Sequence, residues 1–235
     1  MDMEKLFQLC SFLSLLTTSL AQIVSDVNQH SGNLNDGQMP SHLALYRRVF
    51  KQKRLEQMMA VENIIKMNNY EKQYKIINMI FEKLFKTVQD AKTDVTTGGY
   101  VPGEEFPAEQ KQKEAIGNIV ENTALLGDVV LRLPDIAHKI FSKNKDWELL
   151  TLWSLSFTNS TTIYDEADSK LLNLMAQELK LVPRDPNYFN PFTEKAKHKR
   201  DQSDKEKVPN ASKHDNKSHK KNKKARGPRL SHTEL

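Results

Sequence analysis

Glu121 and Asp128 stand seven residues apart in a stretch with a helical pattern. That spacing puts both carboxylates on one helix face, about 10 Å apart along the axis. Two carboxylates within such reach could do general acid and base chemistry. A commoner reason for the pair is a solvated face, or one paired with Arg132 on the same helix. Only His42 and His138 fall in the foldable region, and neither has a second His or Cys at metal-ligand spacing. There is no glycine-rich phosphate loop, no G-x-S-x-G and no H-E-x-x-H. The sole cysteine, Cys10, lies in an N-terminal stretch expected to be removed. Thiol nucleophiles, redox catalysis and Cys-ligated metal are then excluded. The residues point to no enzyme, no metal and no cofactor.

Adhesive chemistry is better represented. Tyr188, Phe189 and Phe192 cluster in the proline-punctuated string Asn187 to Phe192. Aromatics in an irregular segment either pin the chain end to a neighbouring core or dock to something else, and pinning is the blander reading. Trp147, Trp153 and Phe157 fall near one side of a helical stretch, where core is the ordinary role and a groove for a partner helix the alternative. Clusters such as Lys197-His198-Lys199-Arg200 and Lys220 to Arg226 lack interleaved aromatics, so they offer only salt-sensitive phosphate contact. No nucleic-acid partner is expected.

The elements that must position these residues are helices. The chain has 235 residues and a net charge of +5, unevenly spread. Residues 193–235 hold 14 Lys and Arg against 6 Asp and Glu, and the other 192 hold 21 against 24. The high pI of 9.1 therefore belongs to the tail. With Val208, Leu230 and Leu235 as its only large aliphatics, that tail cannot bury enough surface to offset the entropy of ordering. Residues 193–235 are expected to be a disordered, Lys-rich tail and residues 22–40 a flexible segment.

Residues 41–192 read as an all-α bundle of about five to six helices, with no alternating run that argues for a sheet. The first helix follows Pro40-Ser41 and runs to about Asn68, with Tyr46, Val49, Phe50, Leu55, Met58, Val61 and Ile65 facing inward. Asn68-Asn69 is the expected break. Tyr70, Tyr74, Ile77, Phe81, Leu84 and Val88 then repeat at spacings of four and three. A Thr-, Gly- and Pro-rich loop follows, and the next helix opens near Pro107. Pro134 starts a short helix through Phe141, and Asp146 can cap another from Trp147 to Phe157. A last helix spans about Asp168 to Lys180, with Leu171, Leu174, Met175 and Leu179 inward.

The two ends carry addresses. Leu6 to Leu16 is an apolar stretch too short for the roughly 20 residues a bilayer demands. Ser19 and Ala21 occupy the small-residue positions of a signal-peptidase site, so residues 1–21 are expected to leave and cleavage falls between Ala21 and Gln22. No other stretch is long and apolar enough to span a membrane. The chain ends in His232-Thr233-Glu234-Leu235, a variant of the His/Lys-Asp-Glu-Leu retrieval signal in which Thr233 replaces an acidic residue. The expected location is the endoplasmic-reticulum lumen, with possible secretion and a KDEL-type retrieval receptor as one partner. Three N-glycosylation sequons, at Asn159, Asn210 and Asn216, fit that compartment.

Several strings are specific enough to carry a family resemblance. The block Glu121 to Pro134 (ENTALLGDVVLRLP) resembles the coiled-coil domain-containing protein 134 family. Gln73-Tyr74-Lys75-Ile76, the Trp147…Trp153…Phe157…Asn159 stretch, Leu174 to Leu179 (LMAQEL) and Asn190-Pro191-Phe192 agree in order. Gly227-Pro228-Arg229 near a Ser-x-x-Glu-Leu ending is similar too, although the terminal tetrapeptide differs from that family's in its first two residues. The resemblance implies a non-enzymatic helical protein of the endoplasmic-reticulum lumen. It would bind nascent endoplasmin, the luminal ninety-kilodalton heat-shock chaperone, at the translocon-linked oligosaccharyltransferase and protect it from hyperglycosylation and degradation. The family has also been described as secreted and cytokine-like, damping mitogen-activated kinase signalling, and as having a nuclear partner in a histone acetyltransferase complex. The two family-like strings motivate expected partner contacts at Glu121, Asp128, Arg132, Tyr188, Phe189 and Phe192.

Overall fold

A computed structural model describes residues 41–193, and these form six helices with no strand among them. The signal-peptide cleavage at Ala21 and Gln22, the segment 22–40, the tail from residue 194, its sequons Asn210 and Asn216, and the retrieval residues His232 to Leu235 all lie outside the described residues.

Helix α1 spans His42–Lys66, and the Ser41 side chain caps it by accepting from the Ala44 amide at 3.2 Å. The expected break follows: Asn68 takes a left-handed φ of 44°. Asn69 then caps α2, Tyr70–Thr97, by accepting from the Lys72 amide at 2.9 Å. The Gln73 amide reaches back to the Ile64 carbonyl at 3.0 Å, so one side chain satisfies part of the open end of α1. Helix α3 is Gln110–Arg132 and begins after Pro107 rather than at it, with Glu109 in extended backbone before it. Helix α4, Pro134–Phe141, has proline in its first turn as expected. Helix α5 is Asp146–Ser160, longer than the apolar run by which it was recognised; Asp146 opens its first turn and makes no capping bond. Helix α6 is Glu166–Glu178, capped by Asp165, which accepts from the amides of Ala167 and Asp168.

Helix α3 is the axis of the bundle and packs against every other helix. Each residue from Ile119 to Val130 is buried, which requires neighbours on all sides. One half of the core joins α2, α4 and α5 through aromatic contacts. Phe85 stacks on Trp147 at 4.4 Å between centroids, and Phe81 meets Phe141 edge-on at 5.6 Å. The other half gathers Tyr46, Phe50, Ile116, Ile119 and Val120, with Trp153 packed partly against it and Phe157 within it. The tryptophan-bearing face of α5 is thus core.

Two inward faces differ from expectation. On α1, Leu55 is 52% exposed, whereas Lys53, Arg54 and Gln57 are buried between Phe50 and Ala60. The inward stripe turns polar because α3 and α6 present polar partners to it. On α6, Leu174 is exposed and Leu172 takes the buried place. Gly127 of α3 sets that choice: a Cβ there would meet Leu171 at 3.0 Å, so the missing side chain admits Leu171 and fixes the rotation of α6.

Candidate functional site

The first polar constellation fills the seam between α1, α3 and α6. Arg54 Nη1 donates to Asp128 Oδ2 at 2.6 Å and to Gln57 Oε1 at 2.9 Å, and its Nε reaches Asp168 Oδ1 at 3.3 Å. Gln57 in turn donates to the Glu121 carbonyl at 3.0 Å. Burial works against the Arg54 charge, but the Asp128 carboxylate bonded to it outweighs that and holds the guanidinium protonated. Burial raises Asp168, with Arg54 opposing. Glu121 is the extreme case: burial pushes its carboxyl up to about 8, against the pull of Lys53. Tyr46 shares that recess, where its hydroxyl and the Glu121 carboxylate face Gly117, and the hydroxyl has no hydrogen-bond partner.

Glu121 and Asp128 therefore do share a helix face, as their spacing requires, but the face is internal. Both are buried, at 5% and 4% exposure, and cannot be partner contacts in the folded chain. Asp128 is neutralised by Arg54 of α1 rather than by Arg132, which sits half-exposed at the end of α3. The expectation of a docking face on Glu121 and Asp128 is corrected: this helix is enclosed by five others.

The second constellation fastens residues 181–193, an irregular strap that follows α6. Its hub is Glu178, buried at the end of α6. Glu178 Oε2 accepts from the Tyr188 hydroxyl at 2.6 Å and from Asn190 Nδ2 at 2.9 Å. Its Oε1 pairs with His138 Nε2 at 2.8 Å and Arg184 Nη2 at 3.3 Å. Asn190 Nδ2 also donates to the Leu131 carbonyl, and Arg184 to the carbonyls of Gln177 and Glu178. Arg184 lies over the Tyr188 ring at 5.3 Å. Burial alone would raise the Glu178 carboxyl, but the bonds from Tyr188, His138 and Asn190 hold it below its ordinary value. The same pairing pushes Tyr188 beyond the usual phenol range, with burial the larger cause.

The strap resolves the two readings of the aromatic string. Tyr188 is a pin. Phe189 and Phe192 stay outside, 67% and 43% exposed, on a backbone held by Asn190 between them. Sequence reasoning missed Glu178, Arg184 and the pairing of His138, because His138 of α4 reaches Glu178 only across 40 residues of folded chain and Arg184 only through the turn of the strap. Asn159 is exposed on the last turn of α5. A groove of about 530 Å³ beside α1 is lined by Arg47, Arg48, Phe50, Lys51, Tyr164 and Asp165, with Lys51 and Asp165 paired across it at 3.4 Å. Among the described residues no group of three or more His, Cys, Asp or Glu could hold a metal, and no helix is long and apolar enough to cross a membrane.

A family model described as "ERK and JNK pathways, inhibitor" matches residues 33–231. The chain belongs to that family. Its curated relatives bear the name that the strings around Glu121 and Asn190 suggested. Coiled-coil domain-containing protein 134 of Mus musculus is 40% identical over 151 residues, 64% of this chain and 66% of the relative. Coiled-coil domain-containing protein 134 of Xenopus tropicalis is 40% identical over 149 residues, 63% of this chain and 65% of the relative. The chain thus spans just under two thirds of the length of these coiled-coil domain-containing protein 134 relatives. No solved structure matches.

Proposed function

We propose that this protein is a non-catalytic binding factor of the endoplasmic-reticulum lumen. It engages nascent endoplasmin beside the translocon-linked oligosaccharyltransferase and keeps it from hyperglycosylation and degradation. The observation that carries a binding role is the strap: Phe189 and Phe192 are held out in solvent while Tyr188, Asn190 and Arg184 tie their backbone to Glu178. Large apolar rings presented on a fastened segment lose little freedom on association, which is what makes a good anchor. The identity of the client comes from the family resemblance, and the compartment from the sequence at both ends. Shielding of acceptor asparagines needs occupancy alone. The test is affinity capture from microsomes with a tag placed after Gln22, so that Leu235 keeps its carboxylate. Endoplasmin with oligosaccharyltransferase or translocon subunits is the expected catch. Capture that Phe189→Ala with Phe192→Ala leaves unchanged would remove the strap from the interface.

A second reading is favoured by the family model's own description as an inhibitor of the ERK and JNK pathways. In it the chain is a secreted, cytokine-like helical bundle that modulates mitogen-activated kinase signalling, and its terminal tetrapeptide is incidental. Recovery of most of the protein from the medium with endoglycosidase-resistant glycans, together with lowered ERK phosphorylation in treated cells, would select it.

A further inference from the structure

We propose that Asn159 is an N-glycosylation acceptor whose sequon the fold locks, so that it is filled before α5 closes and not afterwards. The inference rests on the chain entering the lumen, which both readings above share.

Asn159-Ser160-Thr161 forms the end of α5 and the turn beyond it. The three residues are treated differently by the fold. Asn159 is exposed, so a glycan there would stand in solvent. Thr161 is turned inward at 4% exposure. Its hydroxyl donates to the Thr158 carbonyl at 2.8 Å, and its amide donates to the same carbonyl at 3.2 Å. Ser160 is also committed, donating to the Ser156 carbonyl at 3.0 Å. Thr162 then turns the chain with a φ of 57°, and Ile163 plugs the core at 3% exposure.

A transferase that reads Asn-x-Ser/Thr has to take the asparagine amide and the third-residue hydroxyl together, on an accessible backbone. In the folded chain the first is offered and the second withheld. Glycosyl transfer would form a bond from Asn159 Nδ2 to the anomeric carbon of a lipid-linked oligosaccharide. The bond from that carbon to the polyprenyl diphosphate breaks, the diphosphate leaves with the electron pair, and one amide proton passes to the enzyme's base. None of this requires the glycan to enter the bundle, so the product can fold with Asn159 outside and Thr161 inside.

Two experiments test the inference. In the first, the full chain is translated into microsomes, scored for protease protection, and mapped at Asn159 by mass spectrometry with and without peptide N-glycosidase. A protected chain with Asn159 occupied is expected. A protected chain with Asn159 bare overturns the inference and leaves the luminal reading standing, whereas an unprotected chain overturns the luminal reading and the inference with it. In the second, folded chain from Gln22 onward, made in bacteria, is given a purified single-subunit oligosaccharyltransferase and its lipid-linked donor, beside a peptide of residues 153–167. The peptide should be modified at Asn159 roughly a hundredfold faster, a ratio set by how seldom the end of α5 opens. Equal rates overturn the lock, and an unmodified peptide overturns Asn159 as an acceptor.

Discussion

Burial raises the Glu121 carboxyl to about 8, while the donors around Glu178 hold its carboxyl below the ordinary range. The two residues therefore bend the pH dependence of stability in opposite senses. Folded Glu121 keeps a proton that the unfolded chain gives up above about pH 4, so its contribution is complete below that pH and is lost as pH rises toward 8. Urea unfolding between about pH 5 and pH 9 should lose roughly 2–5 kcal/mol, and Glu121→Gln should flatten that slope. A slope that survives the substitution would assign the titration to another group. Glu178 works from the acid side: its stabilisation is present above the unfolded carboxyl value and is lost as pH falls through the lower folded one. Glu178→Gln should cost about 1–3 kcal/mol at neutral pH by leaving buried donors mismatched. It should also speed proteolysis within residues 181–193 while α2 keeps its amide protection.

At the scale of elements, the seam of α1 with α3 is held by a charge network rather than by apolar contact alone. Arg54→Ala would leave Asp128 buried without its cation, a loss of about 3–5 kcal/mol. Replacing both partners together, Arg54→Met with Asp128→Leu, should cost clearly less, as read from denaturant midpoints of the two variants. Gly127→Ala should cost about 1–3 kcal/mol by pressing α6 off α3 at Leu171. These features mark where the sequence was readable. The stripe from Ile77 to Val88, the break at Asn68-Asn69 and the proline start of α4 are local chemistry, and each was legible. The polar stretch of α1 was not, since a binary pattern assigns Lys53, Arg54 and Gln57 outward until their partners on α3 and α6 are known. Leu172 and Leu174 are equally apolar, and only the gap at Gly127 decides which turns inward. The Glu178 hub joins His138 from α4 to Asn190 in the strap, and no spacing rule spans that distance.

Taken whole, the described bundle buries the networks around Arg54 and Glu178 and leaves the Phe189 and Phe192 rings in solvent. Phe189→Ser with Phe192→Ser should therefore change the unfolding free energy by only about 0.5 kcal/mol, in line with exposed positions, while reducing endoplasmin recovered from microsomes. Loss of stability and capture together would mean that the rings support the bundle instead. The strap also sets a mechanical path. Tension applied to the chain beyond Thr193 reaches Asn190, whose side-chain amide is tied both to the Leu131 carbonyl of α3 and to Glu178 of α6. A pull on the C-terminal side is thus shared between two helices and loads several bonds at once instead of peeling α6 turn by turn. Three of the side chains that fasten the strap, Tyr188, Asn190 and Arg184, meet on the one Glu178 carboxylate, while the Leu131 carbonyl gives Asn190 a second hold. A proton on Glu178 would loosen that shared point and leave the strap held by the Leu131 and Gln177 carbonyls.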